Sequence, residues 1–313
     1  MAQSAQDEQR QRRVESELGG PVGLWSGALN SFGAGELAEA ASELEELGYP
    51  ALWFGEALGR EAFVNASLLL SSTRRLKVGT GIANIYVRDA TAASGASQAL
   101  AEAYPERFVL GLGVSHRPLL EMRGLDSGAA NSGSPLADMR RFLEALDEAP
   151  YNGPEPESAP PRLLAALGPK MLELSRDRAD GAHPYLTTPA HTASARETLG
   201  EEPLLVPEQA VVLSEDRGEA MERGREHLQM YLGLPNYRKS WIREGFTEED
   251  FADGGSERLV EGLVAWGSEE QALRRVREHL RAGSDQVLVQ VIAPDNASLR
   301  RDWRLLAQAL LAA

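Results

Sequence analysis

The 313-residue chain contains no cysteine. That absence excludes disulfides, cysteine nucleophiles and thiolate-bound zinc. No apolar run approaches the ~18 residues of a membrane-spanning helix, so membrane insertion is not expected. Positive charge is in deficit: 32 Lys and Arg stand against 47 Asp and Glu, a net charge of −15. Phosphate-backbone binding depends on Lys and Arg, so a general nucleic-acid role is disfavoured, as is a basic membrane-binding face. Residues 1–17 are polar, with Asp7, Glu8, Arg10, Arg12 and Arg13 and no apolar stretch, which is not a signal-peptide pattern. A soluble, cytoplasmic protein is the expectation. Residues 1–20 read as a solvated, frayed and disordered tail ahead of a single domain over residues 21–313.

Metal and nucleophile motifs are missing too. No HExxH or other metal spacing links the five histidines, and no GxSxG elbow occurs. No metal is expected. His227 and His279 fall in mid-helix among charged residues and read as solvated.

The rest is ordinary globular composition, 42% hydrophobic and 25% charged. A chain of this size buries about three quarters of its unfolded surface, enough for a core without staples. Short apolar runs alternate with helical stretches. Strand-like runs are residues 22–26 (VGLWS), 51–55 (ALWFG), 77–82 (KVGTGI), 108–113 (FVLGLG), 162–167 (RLLAAL), 180–185, 204–213 and 286–292 (QVLVQVI). Four prolines in residues 151–161 forbid regular structure there. An insertion of roughly thirty residues, 235–263, follows the seventh strand and its helix.

Eight strands each followed by a helix predict parallel pairing. A doubly wound sheet should carry a glycine fingerprint after its first strand. The candidates, Gly79-x-Gly81-x-x-Asn84 and Gly111-x-Gly113-x-x-His116, lack the third glycine and come later in the chain. The count fits a closed (β/α)8 barrel, whose active site lies at the C-terminal strand ends.

Those ends nominate a few residues. Glu56 ends the second strand, where a carboxylate can take or hold a proton, or can simply cap a helix or pair with a cation. His116 ends the fourth, as a titratable group or a hydrogen-bonded loop histidine. The sixth carries His183, Tyr185 and Thr187. In Leu167-Gly168-Pro169-Lys170, Gly168 lets a ligand approach and the amides of Lys170 and Met171 open a helix toward an anion. The same turn is also an ordinary strand-to-helix junction.

Read together, GTGIANIYVRDA, AEAYPERFVLGLGVSH and LLAALGPKMLELSRDRADGAHPYLTTPAHT resemble the luciferase-like flavin and deazaflavin oxidoreductases. LPNYRKSWIREGFTEEDF and AGSDQVLVQVI fit the coenzyme F420-dependent subgroup, and the resemblance spans residues 22–310. It implies a luciferase-type TIM barrel with an insertion after strand seven. It also implies a cofactor ring against a bulge at Ile82, Ala83 and Asn84, often with a non-prolyl cis peptide. The cofactor phosphate is then expected near Leu167, Gly168, Lys170 and Met171, with Val114 and Ser115 assisting.

Many deazaflavin-dependent relatives carry an acid–histidine pair after strand two and a glutamate after strand four. Here strand two gives Glu56-Ala57, and His116 stands where the glutamate would be. The resemblance then implies hydride transfer between coenzyme F420 and a small organic substrate, with His116 handling a proton and Glu56 touching the ring or positioning substrate. An FMN-dependent monooxygenase is the alternative, and a non-catalytic flavin-binding barrel the second. The anionic tail of F420 would need local cations, for which Arg60, Arg88, Arg117, Arg123 and Lys170 are candidates. Relatives suggest a homodimer through the helices over residues 64–73 and 91–104. Substrate choice is assigned to the loop at residues 123–134 and to the insertion.

Overall fold

The computed structural model describes residues 2–125 and 134–311. Most of the 123–134 loop therefore lies outside the described residues.

Eleven strands run in chain order: β1 (Val22–Trp25), β2 (Ala51–Phe54), β3 (Lys77–Thr80), β4 (Ala83–Asn84), β5 (Phe108–Gly113), β6 (Arg162–Leu164), β7 (Gly181–Ala182), β8 (Leu204–Leu205), β9 (Glu208–Val212), β10 (Val264–Trp266) and β11 (Val287–Val291). Every pairing is parallel, in the order β10-β9-β11-β1-β2-β3-β5-β6-β7-β8. β8 and β9 are two halves of one stave, bent at Val206–Pro207. The Val206 amide donates to the Ala182 carbonyl on one side, and the Pro207 carbonyl accepts from Leu288 on the other. That continuity closes the sheet into the expected barrel.

β3 and β4 are likewise one stave interrupted by a bulge, with β4 paired to β5. The glycine pairs that fail as a dinucleotide fingerprint make this geometry fit. A Cβ on Gly111 would sit 1.8 Å from the Thr80 carbonyl oxygen, so only glycine lets β3 and β5 approach there. The Thr80 hydroxyl bonds both the Gly111 carbonyl and the Gly111 amide, at 2.8 and 2.9 Å.

Three expectations are corrected. Residues 2–18 form a helix, Ala2–Leu18, rather than a frayed tail. It lies across the N-terminal ends of the strands, and Leu18 enters the barrel interior with Trp53, Val109 and Leu288. Its polar residues are what bind it there: Arg10 reaches Asp285 and the Gly283 carbonyl, and Lys77 donates to the Ser16 carbonyl.

Second, β10 was not anticipated. It is three residues between the helix Glu257–Leu263 and the Gly267 turn, too short for an alternation pattern to register. It lengthens the sheet beside β9, while the preceding insertion folds as helices, chiefly Pro235–Arg243. Third, His279 is fully buried rather than solvated. Its ring bridges Thr192 (2.8 Å) and Gln209 (2.9 Å), and desolvation lowers its pKa to about 3. His227 is half-buried. The described residues include no helix long and apolar enough to cross a membrane, and no cluster that could hold a metal ion.

Candidate active site

At the C-terminal end of β3 the backbone departs from the sheet through Gly81 and Ile82, joined by a non-prolyl cis peptide as the resemblance implied. Gly81 has no room for a side chain: a Cβ would come within 2.5 Å of the Trp25 indole nitrogen and 3.0 Å of His183 Nε2. Trp25 instead donates to the Gly81 carbonyl at 3.1 Å.

Glu56 holds this bulge from below. Its carboxylate accepts from the Asn84 amide (2.8 Å), the Ala62 amide (3.2 Å) and both terminal nitrogens of Arg88. Both side chains of the ion pair are buried. Glu56 therefore ties β2, the bulge and the start of the helix Ala62–Ser71 together, although it also touches the cavity. Asn84 and Ala83 are buried behind the bulge and are not in the cavity wall among the described residues.

After β5, Val114, Ser115 and His116 form the next part of the wall. Ser115 takes a left-handed backbone (φ 55°), which turns His116 inward at the start of the helix Arg117–Met122. The His116 ring lies 5.5 Å from Tyr237 and 6.2 Å from Tyr231, centre to centre. Desolvation lowers its pKa to about 4, so the imidazole is neutral at physiological pH.

Gly168 begins the helix Pro169–Arg178 with no capping side chain, and Leu167, Gly168 and Met171 face the cavity. Lys170 is exposed and outside its wall. The Leu167 carbonyl accepts from His191 Nε2 and from Arg243, each at 3.0 Å, so the insertion helix is fastened to this turn.

One cavity of about 1050 Å³ joins the bulge, the β5 end and the Gly168 turn. Three of the arginines expected at its rim are engaged elsewhere. Arg60 donates to the Leu29 and Phe32 carbonyls, Arg88 to Glu56 and Glu61, and Arg123 to the Ala57 carbonyl. Arg117 stands at the mouth but pairs with Glu121. Lys239 also lines the mouth, and Arg243 lies beside Gly168. Neither has a carboxylate partner among the described residues.

His183 and Tyr185, nominated at the sixth strand's end, do line the cavity, whereas His227, Tyr231 and Tyr237 escaped sequence reasoning. His183 donates from Nδ1 to the Val206 carbonyl at 2.6 Å; a carbonyl only accepts, so Nε2 carries a lone pair, and it is buried with no partner among the described residues. Tyr185 bonds Gln290 at 2.7 Å, and Tyr231 bonds Tyr185 at 3.3 Å. The signal for His227 and Tyr231 was their spacing: four apart on the helix Arg217–Leu232, they share one face. Their charged neighbours concealed it. Tyr237 and Arg243 sit on the insertion helix, where no strand-end rule points.

The family described as luciferase-like monooxygenase matches residues 11–286. A Mycobacterium tuberculosis protein named as a coenzyme F420-dependent oxidoreductase is 27% identical over 259 residues, 69% of this chain and 72% of that one. The 5,10-methylenetetrahydromethanopterin reductase of Methanolobus tindarius is 26% identical over 158 residues, 47% of this chain and 48% of that one. The chain thus spans about half the length of the first curated relatives it matches. Among solved structures, the coenzyme F420-dependent tetrahydromethanopterin reductase of Methanopyrus kandleri superposes with a TM-score of 0.70 at 17% identity, covering 93% of this chain and 99% of that one. The FMN-bound oxygenating constituent of 3,6-diketocamphane monooxygenase from Pseudomonas putida gives 0.68 at 15% identity, covering 93% and 97%. These two likenesses concern the barrel alone; with the family match over most of the length, the chain belongs to the luciferase-like monooxygenase family.

Proposed function

We propose that the protein is an oxidoreductase that holds coenzyme F420 in the barrel mouth and exchanges a hydride between it and a small organic substrate. The observation that carries this reading is the single cavity joining the Gly81–Ile82 bulge, the Val114–His116 strand end and the Gly168 turn. The residues present fit a flat cofactor with a phosphate. Gly81 offers bare backbone beside the Trp25 indole, and the lone pair of His183 Nε2 awaits a donor. Gly168 leaves a helix start open, with Arg243 close by. The names of the mycobacterial and methanogen relatives support F420 as that cofactor.

When bound, F420 supplies the two-electron hydride donor or acceptor. Ile82, Val114, Ser115, Leu167, Gly168 and Met171 would hold it, and Ala83 and Asn84 support the bulge from behind. Glu56 fixes that bulge through Arg88 and the Asn84 amide, a positioning role. Neutral His116 accepts the proton released when a substrate hydroxyl becomes a carbonyl, and returns it in the reverse direction. The rings around His116 keep water from the transferring hydrogen.

One observation favours FMN instead: Arg60, Arg88 and Arg123 are engaged internally, leaving few cations at the mouth for an oligoglutamate tail. FMN has the phosphate without that tail, and the protein would then be a monooxygenase. Titrating the purified protein with F420 and with FMN, followed by quenching of tryptophan emission and by thermal shift, separates the readings. Saturable F420 binding is expected. Tight binding of FMN alone would favour the monooxygenase, and binding of neither would leave a barrel without redox chemistry.

A further inference from the structure

The cavity has two unlike sides. The bulge and the Gly168 turn offer bare glycine backbone, with Trp25 and His183 beside Gly81, whereas the wall that continues from Tyr185, 5.1 Å from Trp25, is a cluster of rings. His227 lies 5.8 Å from Tyr231, Tyr231 lies 4.9 Å from Tyr237, and Tyr237 lies 5.5 Å from His116, centre to centre. Tyr231 also meets Tyr185 at 5.6 Å. The planes are tilted or edge-on, the arrangement in which ring edges and faces attract one another and a further ring. Five rings from β5, the β7 end, the helix Arg217–Leu232 and the helix Pro235–Arg243 thus surround one part of the hollow.

We infer that this ring-lined side is the substrate subsite, and that it takes an uncharged, ring-bearing alcohol or carbonyl compound rather than an anion. This rests on the reading of the mouth as a redox site but not on which cofactor fills it. Three features set the class. The rings offer flat apolar faces, which select a flat or cyclic partner. The polar atoms among them are few: the Tyr185 and Tyr231 hydroxyls, and a buried His227 Nε2 with no partner among the described residues. These suit a single hydroxyl or carbonyl. Lastly, none of the five rings brings a formal charge: burial lowers His116 and His227 to about 4 and raises Tyr231 to about 12. The buried carboxyl of Glu208, whose charge acts on Tyr185, Tyr231 and Tyr237, is pushed up by the same desolvation to about 8. A carboxylate or phosphate placed among these rings would lose its hydration and meet no cation. Arg117 and Lys239 line the mouth instead.

Benzyl alcohol and benzoate separate the possibilities, since they share a ring and differ in charge. Each is titrated by ligand-observed NMR into the full chain at about pH 7.5, with and without saturating F420 or FMN. Benzyl alcohol should bind about tenfold or more tightly than benzoate. Tyr231→Ala should weaken benzyl alcohol about tenfold while leaving F420 affinity within about twofold, and Tyr231→Phe, which keeps the ring and loses one hydroxyl, should weaken it by less than Tyr231→Ala. The two-ligand ratio needs no variant, so misfolding of Tyr231→Ala would not obscure the result. Equal or tighter binding of benzoate overturns the inference, as does failure of both ligands to bind a cofactor-loaded protein. Benzyl alcohol binding in a protein that takes neither cofactor would support the subsite and refute the redox reading.

Discussion

The two ends of this barrel are built to opposite rules. At the N-terminal end the buried charges are paired, although Gln286 Oε1 and Ser284 Oγ have no partner among the described residues. Asp285 accepts from Arg10, Arg196 and the Leu205 amide at 2.6–2.7 Å, and Gln286 donates to the Leu18 and Gly20 carbonyls. Leu18 plugs the bore. At the C-terminal end the bore opens into a large cavity, and buried polar atoms such as His183 Nε2, His227 Nε2 and Glu208 Oε1 have no partner among the described residues. A matched polar group contributes to stability; an unmatched one costs stability until a ligand arrives. The closed end holds the staves in register, and the open end keeps its hydrogen-bonding capacity for a guest.

The contrast can be broken hardest at the closed end. Asp285→Ala removes the buried carboxylate shared by Arg196 and Arg10, leaving them carbonyl acceptors and, for Arg10, the exposed Glu201, and should cost ~3–5 kcal/mol. Denaturant unfolding should show that loss, while F420 affinity of the remaining folded protein stays within about twofold. A large loss of affinity without loss of stability would mean that the two ends are not separate in role.

Next comes Glu208, on the open side. Burial lifts its carboxyl from 4.5 to about 8. The native state therefore keeps a proton that the unfolded chain releases, so its contribution is present below about pH 4.5 and lost as pH rises toward 8. Glu208→Gln removes that loss. It should gain roughly 2–4 kcal/mol over wild type by about pH 8.5 and little near pH 4.5, as measured by pH-dependent melting. The depressed histidines act oppositely: His116, His183 and His227 favour the fold above about 6.5 and withdraw that support as pH falls toward about 4.

Smaller effects sharpen the picture within the mouth. His116→Ala should lower turnover about a hundredfold with F420 affinity nearly intact. Unchanged turnover removes His116 from the chemistry. Arg243→Ala should weaken F420 about threefold, more at low salt than at high, because its charge is exposed beside the Gly168 turn. Equal weakening at both salt concentrations would show that the arginine acts through its bond to the Leu167 carbonyl instead.

The staves were legible because each pairs a short apolar run with a helix, and the strand-end rule then led to Glu56, His116 and Gly168. Ile82 and Gly168 do meet in one cavity. What escaped depends on contacts between distant segments. Nothing local in residues 2–18 reveals that Arg10 has a carboxylate 275 positions away, so a plug read as a tail. For Glu56 the choice between a reactive carboxylate and an ion-paired cap stayed open because its clamp, Arg88, lies 32 residues on. His279 looked solvated because helix periodicity does not show which charged neighbours turn outward. Tyr237 joins the wall only through the packing of the insertion.

The most direct test is a crystal structure of the protein soaked with F420. The account predicts the deazaflavin ring against Gly81 and Ile82, the phosphate at the Gly168 turn, and the ring-lined side left open for substrate. A ring seated between Tyr231 and Tyr237, or a phosphate bound away from Gly168, would contradict it.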